Sequence, residues 1–167
     1  MGHSKLKELF FEHPSDEFYL RQIAKLTRIP KTTVSRLLQE LLKEHLVVRK
    51  KTKPFNHYQA NTENPFYIFY KKHHLLEKLH HSGLIDYLVE KTTPKALVLF
   101  GSCAKGEYTE KSDIDLFIQS SPTPLNLKRF KLQHEISLFF EPDLSKLSTE
   151  LRNNILNGIL IYGAIRI

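Results

Sequence analysis

The apolar residues of the first sixty positions recur with a helical period and then switch to alternation. Leu6, Leu9 and Phe10 share one face of a helix over 4–12, which Ser4 can cap. His13-Pro14-Ser15-Asp16 breaks it. Leu20, Ile23 and Ala24 mark a second helix from Tyr19 to Leu26, and Thr27-Arg28-Ile29-Pro30 is a tight connection. Val34, Leu37, Leu38, Leu41 and Leu42 fall at i, i+3, i+4, i+7, i+8 and predict a third helix from Lys31 to Glu44. Leu46 to Lys50 reads as a strand, Lys51 to Asn56 as a turn and His57 to Ala60 as the returning strand. Phe66, Phe69, Tyr70, His73, Leu76 and Leu79 predict a helix over 66–81, and Leu84, Ile85, Leu88 and Val89 a shorter one that stops at Thr92-Thr93-Pro94. Ala96 to Phe100 is a buried strand. A second strand carries Asp113-Ile114-Asp115 into Leu116-Phe117-Ile118, and a third runs from Gln133 to Phe140. Leu151, Ile155, Leu156 and Ile159 make a closing helix, and Ile159 to Gly163 either ends it or begins a last strand.

Composition narrows the class. The chain has 167 residues, 41% hydrophobic and 26% charged, which suits a globular protein. The single cysteine, Cys103, excludes an internal disulfide framework and a multi-cysteine zinc site. No apolar run approaches about 18 residues, so no membrane span is expected. There is no secretory pattern at the start, and the expected compartment is cytoplasmic. The net charge of +7 is unevenly placed. Residues 1–62 hold 12 Lys and Arg against 6 Asp and Glu, residues 63–92 are neutral, and residues 93–167 carry +1. That asymmetry points to modules with different partners.

Three short helices followed by a basic hairpin is the order of a winged helix-turn-helix. The third helix turns its Leu/Val stripe inward and exposes Lys31, Thr32, Thr33, Ser35, Arg36 and Gln39, side chains suited to phosphates and base edges. The hairpin adds Arg49, Lys50, Lys51 and Lys53 against a flanking backbone. The stretch from Leu20 to Ala60 resembles the winged-helix transcription-factor fold, and the resemblance implies double-stranded DNA as a partner. The aromatic stripe of 66–81 reads as core or as a homodimer seam. His73, Glu77 and His81 on that helix have metal-compatible spacing but read as a solvated face.

The chemistry lies in Pro94 to Gln119. Gly101-Ser102 follows the buried strand at once and opens a short turn or helix that holds Lys105 and ends at Gly106. A Gly-Ser turn there lets backbone N–H groups and a hydroxyl approach a polyphosphate. Asp113 and Asp115 point to one face of their strand, about 7 Å apart. Like charges so placed repel, and keeping both suits a divalent cation. Oxygen donors without thiolate suit Mg²⁺, which also binds through phosphates.

Gly-Ser, ten residues, then Asp-x-Asp resembles the nucleotidyltransferase fold of the DNA-polymerase-beta-like superfamily, and within it the minimal nucleotidyltransferases. Gly101, Ser102, Asp113 and Asp115 match that motif residue by residue, and Lys105-Gly106-Glu107 fits its basic-Gly-Glu stretch. Cys103 departs where the family commonly has Arg, which implies a missing phosphate-facing cation. The resemblance implies a two-metal transfer in which a hydroxyl attacks the α-phosphate of a nucleoside triphosphate, ATP in the first instance, and pyrophosphate leaves. Asp113 and Asp115 would hold Mg²⁺, and Gly101, Ser102 and Lys105 the phosphates. It also implies a helical protein partner of the toxin–antitoxin kind.

The family's third carboxylate falls at Ser137, and Glu135 is the nearest acid on the same strand face. Either Glu135 substitutes and the protein is an enzyme, or the domain is degenerate and serves a DNA-binding transcriptional regulator by nucleotide sensing or dimerisation. The expected architecture is α+β. A winged helix-turn-helix spans 1–62, linker helices span 63–92, and a small mixed-sheet nucleotidyltransferase-like α/β domain spans 93–167.

Overall fold

A computed structural model describes residues 2–51 and 54–166. The chain divides into two compact units between Lys71 and Lys72. The helices of 63–92 are shared between the units: Tyr67 is buried in the first core, whereas Leu75, Leu79, Leu84, Ile85 and Leu88 are buried in the second.

The first unit runs α1 (Gly2–Glu12), β1 (Phe18–Tyr19), α2 (Leu20–Thr27), α3 (Lys31–Lys43), β2 (Val47–Lys51) and β3 (Asn56–Ala60). It ends in the opening turns of α4 (Pro65–His81). The apolar stripes meet as the periodicity requires: Leu6, Phe10, Ile23, Val34, Leu37, Leu38 and Leu41 are all buried in one core. Each such side chain contributes about 1.5–3 kcal/mol relative to staying exposed. Arg28 takes a left-handed conformation (φ 56°) and ends α2. Pro30 then precedes α3, where its missing N–H costs nothing. The hairpin is a three-stranded sheet in the order β1-β3-β2. The short β1 differs from the expected helix start at Tyr19. Phe18 pairs with Tyr58 and Tyr19 with His57, and the Gln22 side chain accepts from the Tyr19 N–H at 2.8 Å, so Tyr19 stays extended outside α2.

The second unit adds α5 (Leu84–Thr92), β4 (Ala96–Phe100), α6 (Gly101–Lys105), β5 (Ile114–Ile118), β6 (Ile136–Phe140), α7 (Thr149–Leu156) and β7 (Ile159–Gly163). The sheet order is β6-β5-β4-β7. It is mixed: β5 and β6 are parallel, whereas β4 is antiparallel to both β5 and β7. Parallel neighbours need a crossover of a dozen or more residues, and 119–135 supplies it. Leu125, Leu127, Phe130 and Leu132 from that crossover pack on the core. Both faces of β4 are covered, which is why Ala96 to Phe100 reads as an unbroken apolar run. Leu97 and Leu99 join Leu84 and Leu88 on one face, and Ala96, Val98 and Phe100 join Leu144 and Ile155 on the other. Ile159 to Gly163 form a strand, not a helix end. Gly163 sits at φ 74°, where a Cβ would lie 2.1 Å from the Lys95 carbonyl oxygen. The architecture is α+β, with a three-stranded sheet among the helices of the first unit and a four-stranded mixed sheet in the second.

Candidate active site and nucleic-acid interface

β4 delivers the chain to Gly101, which turns it at φ 70° into α6. β5 returns antiparallel beside β4, with Phe100 opposite Asp115. The register therefore sets the Asp115 carboxylate against the turn. A Cβ on Gly101 would lie 2.5 Å from Asp115 Oδ2. Positive φ and this close approach together leave room only for glycine. Asp115 is half-buried, and Asp113, one residue before the strand, is exposed. Burial, and secondarily the negative charge of Asp113, raise the Asp115 carboxyl above the usual carboxylate range.

The acid pair is tied down by groups the motif does not include. Cys103 Sγ donates to the Asp113 carbonyl at 3.2 Å, and His134 Nδ1 lies 2.7 Å from the Ser112 carbonyl oxygen. The Ile114 N–H donates to the Glu135 carbonyl at 2.8 Å, and the Thr109 N–H to the Ser112 hydroxyl at 3.0 Å. Cys103 is fully buried. Its thiol braces the backbone at Asp113 from beneath. His134 is buried too, edge-on to Tyr108. Neither role has a sequence signal: each is a lone residue, Cys103 between Ser102 and Ala104 and His134 between Gln133 and Glu135.

Ser102 is half-buried with no hydrogen bond to its hydroxyl among the described residues. Lys105 is exposed, one turn beyond Gly101 on the same helical face. β6 begins at Ile136, three residues later than expected, because 133–135 still belong to the crossover. Ser137 pairs directly with Asp115. Glu135 is exposed, just ahead of the strand. Among the described residues no three His, Cys, Asp or Glu side chains are gathered as a metal cage.

On the first unit, Lys31, Thr32, Ser35, Arg36 and Gln39 are exposed along α3, and Thr33 is half-buried. Arg49, Lys50 and Lys51 are exposed on β2, and Lys53 lies outside the described residues. The pleat separates the hairpin cations. Arg49 and Lys51 share the face of Tyr58 and Asn56, whereas Lys50 points to the other and pairs with Glu17 at 2.5 Å. Arg36 pairs with Glu40 at 2.5 Å, one helical turn on.

The family described as Polymerase beta, Nucleotidyltransferase matches residues 82–165, and the IclR helix-turn-helix domain matches residues 8–51. Two Methanocaldococcus jannaschii proteins are similar in sequence. The one named "Putative protein adenylyltransferase MJ0128" is 46% identical over 50 residues, 30% of this chain and 51% of its own length. The one named "Putative protein adenylyltransferase MJ1215" is 44% identical over 46 residues, 28% of this chain and 54% of its own length. The chain thus spans about half the length of the curated relatives it matches. No solved structure matches it. The interlocked Gly101 turn and Asp115 fall within the larger match, and the chain belongs to the Polymerase beta, Nucleotidyltransferase family, with a helix-turn-helix domain ahead of it.

Proposed function

We propose that the second unit binds a nucleoside triphosphate, ATP in the first instance, together with Mg²⁺, and transfers the nucleotidyl group to a hydroxyl. The observation that carries this reading is the close approach of the Gly101 turn to the Asp115 carboxylate, which supports a phosphate-accepting turn beside paired acids. The donor set fits a hard cation: only carboxylate oxygens, with one acid held half-buried and harder to ionise until a cation compensates it. Asp113 and Asp115 would hold Mg²⁺, which when bound withdraws charge from the phosphoryl oxygens and the leaving pyrophosphate. Gly101 and Ser102 offer an N–H and a hydroxyl to the β and γ phosphates, and Lys105 adds charge. Glu135 would take the proton of the attacking hydroxyl. The relatives named as protein adenylyltransferases favour a protein hydroxyl as acceptor over a small molecule or a nucleic-acid end. The first unit binds double-stranded DNA through α3 and β2, supported by the exposed cations Lys31, Arg49 and Lys51.

A second reading rests on Ser137. Its place beside Asp115, where the family's third carboxylate belongs, favours a regulator whose second unit senses nucleotide without turnover. One experiment separates the two. The full chain is incubated with radiolabelled ATP, GTP, CTP or UTP, Mg²⁺ and candidate acceptors, a helical protein partner included. Label transfer that disappears in Asp113→Ala/Asp115→Ala establishes the enzyme. Absence of transfer to every acceptor, with DNA binding intact, establishes the regulator.

A further inference from the structure

A concave site lies on the first unit beside the DNA-facing surface. It has a volume of about 570 Å³ and is lined by Tyr19, Arg21, Lys31, Phe55, Asn56 and Tyr58, among others. That volume suits a small flat ligand. Its composition is specific. Phe55 is 60% exposed, a large ring left in water, and Tyr19 meets it edge-on with centroids 6.2 Å apart. Tyr58, 8% exposed, closes the site from the core side. Arg21 and Lys31 are both exposed, neither has a carboxylate partner among the described residues, and no acidic residue lines the site. An aromatic ring beside unneutralised cations matches a ligand that is flat and aromatic at one end and anionic at the other.

We infer that this site takes an unpaired nucleotide of a nucleic-acid strand, its base stacked on Phe55 and its phosphate met by Arg21 and Lys31. Tyr19 braces the Phe55 ring. Two features favour a strand over a free mononucleotide. Lys31 is the first residue of α3 and Asn56 the first of β3, so the site is continuous with the surface assigned to the duplex. The excess of cations over residues 1–62 also extends well past the site, as a longer polyanion requires. The inference rests on the reading of the first unit as a DNA binder and adds to it: the duplex lies along α3 and β2, and a frayed or overhanging end enters the site. Base–aromatic stacking is sequence-tolerant, so the preference is for unpaired structure and not for a base.

The test uses the full chain and fluorescence anisotropy with two labelled duplexes, one blunt and one carrying a short single-stranded overhang. The overhang is expected to bind about tenfold more tightly. Phe55→Ala, at an exposed position that leaves the core alone, should abolish that preference and leave blunt-duplex affinity unchanged, and Phe55→Trp should restore it. An overhang containing 2-aminopurine should lose fluorescence on binding to the natural chain and keep it with Phe55→Ala. Equal affinity for both duplexes overturns the inference while leaving duplex binding intact. Binding to neither overturns the DNA reading itself. An overhang preference that survives Phe55→Ala, or a mononucleotide that quenches in the site with no overhang preference, also overturns it.

Discussion

Under the proposed function the two units meet phosphate in opposite ways. The first presents cations on an open surface, where Lys31, Arg49 and Lys51 stand in water and each acts nearly alone. The second presents carboxylates in a fitted turn, where Gly101 leaves no space beside Asp115 and Cys103 and His134 hold the loop before it. Exposed charges are screened and roughly additive, so single substitutions in the first unit should shade its affinity. Interlocked groups fail together, so single substitutions in the second should switch its function off.

The largest effect is expected at Gly101. Gly101→Ala forces a methyl group onto the Asp115 carboxylate at a positive φ. It should destabilise the second unit by about 1–3 kcal/mol and remove nucleotide binding. Chemical denaturation and equilibrium dialysis check the two halves; unchanged nucleotide affinity would break the contrast between the units. Next come Glu135, just ahead of β6, and Ser137 within it. Glu135→Gln is expected to cut label transfer about tenfold or more, and Ser137→Asp, which sets a carboxylate beside Asp115, to raise it by a similar factor. Both are read in single-turnover assays.

In the first unit, Lys31→Ala and Arg49→Ala should each weaken duplex binding a few-fold and lower the salt slope by about 1. Arg36→Ala and Lys50→Ala should do less, because Glu40 and Glu17 already occupy those cations. Anisotropy titrations across salt concentrations rank the four. The smallest effect concerns pH. The folded Asp115 carboxyl is raised above its unfolded value, so the folded state holds the extra proton between those two values. Stability therefore falls as pH climbs from the ordinary carboxylate range through the raised one. Asp115→Asn should melt higher than the natural chain at neutral pH, and the gap should close in acid as both become uncharged. Over the same window protons compete with Mg²⁺, so metal affinity should fall with falling pH.

Periodicity carried most of the fold. The Val34-to-Leu42 stripe and the apolar run at Ala96 are strong because each is fixed by its own neighbours within one element. The pairing of Tyr19 with His57 and the start of β6 were not legible, and the strand at Ile159 was legible only as one of two alternatives, since each depends on a partner distant in sequence. At the site, Gly101, Ser102, Asp113 and Asp115 stand out because close approach and like charges leave few residue choices. The brace from Cys103 did not, because a thiol donating to a carbonyl leaves no spacing to read. The hairpin cations read as one group. Only the pleat shows that Lys50 faces away from Arg49 and Lys51.

The most direct measurement is equilibrium dialysis of the full chain against labelled ATP, with and without Mg²⁺, beside Asp113→Ala/Asp115→Ala. Saturable retention that requires Mg²⁺ and vanishes in the double variant is the predicted result. Retention that ignores Mg²⁺, or that the double variant keeps, would contradict the account.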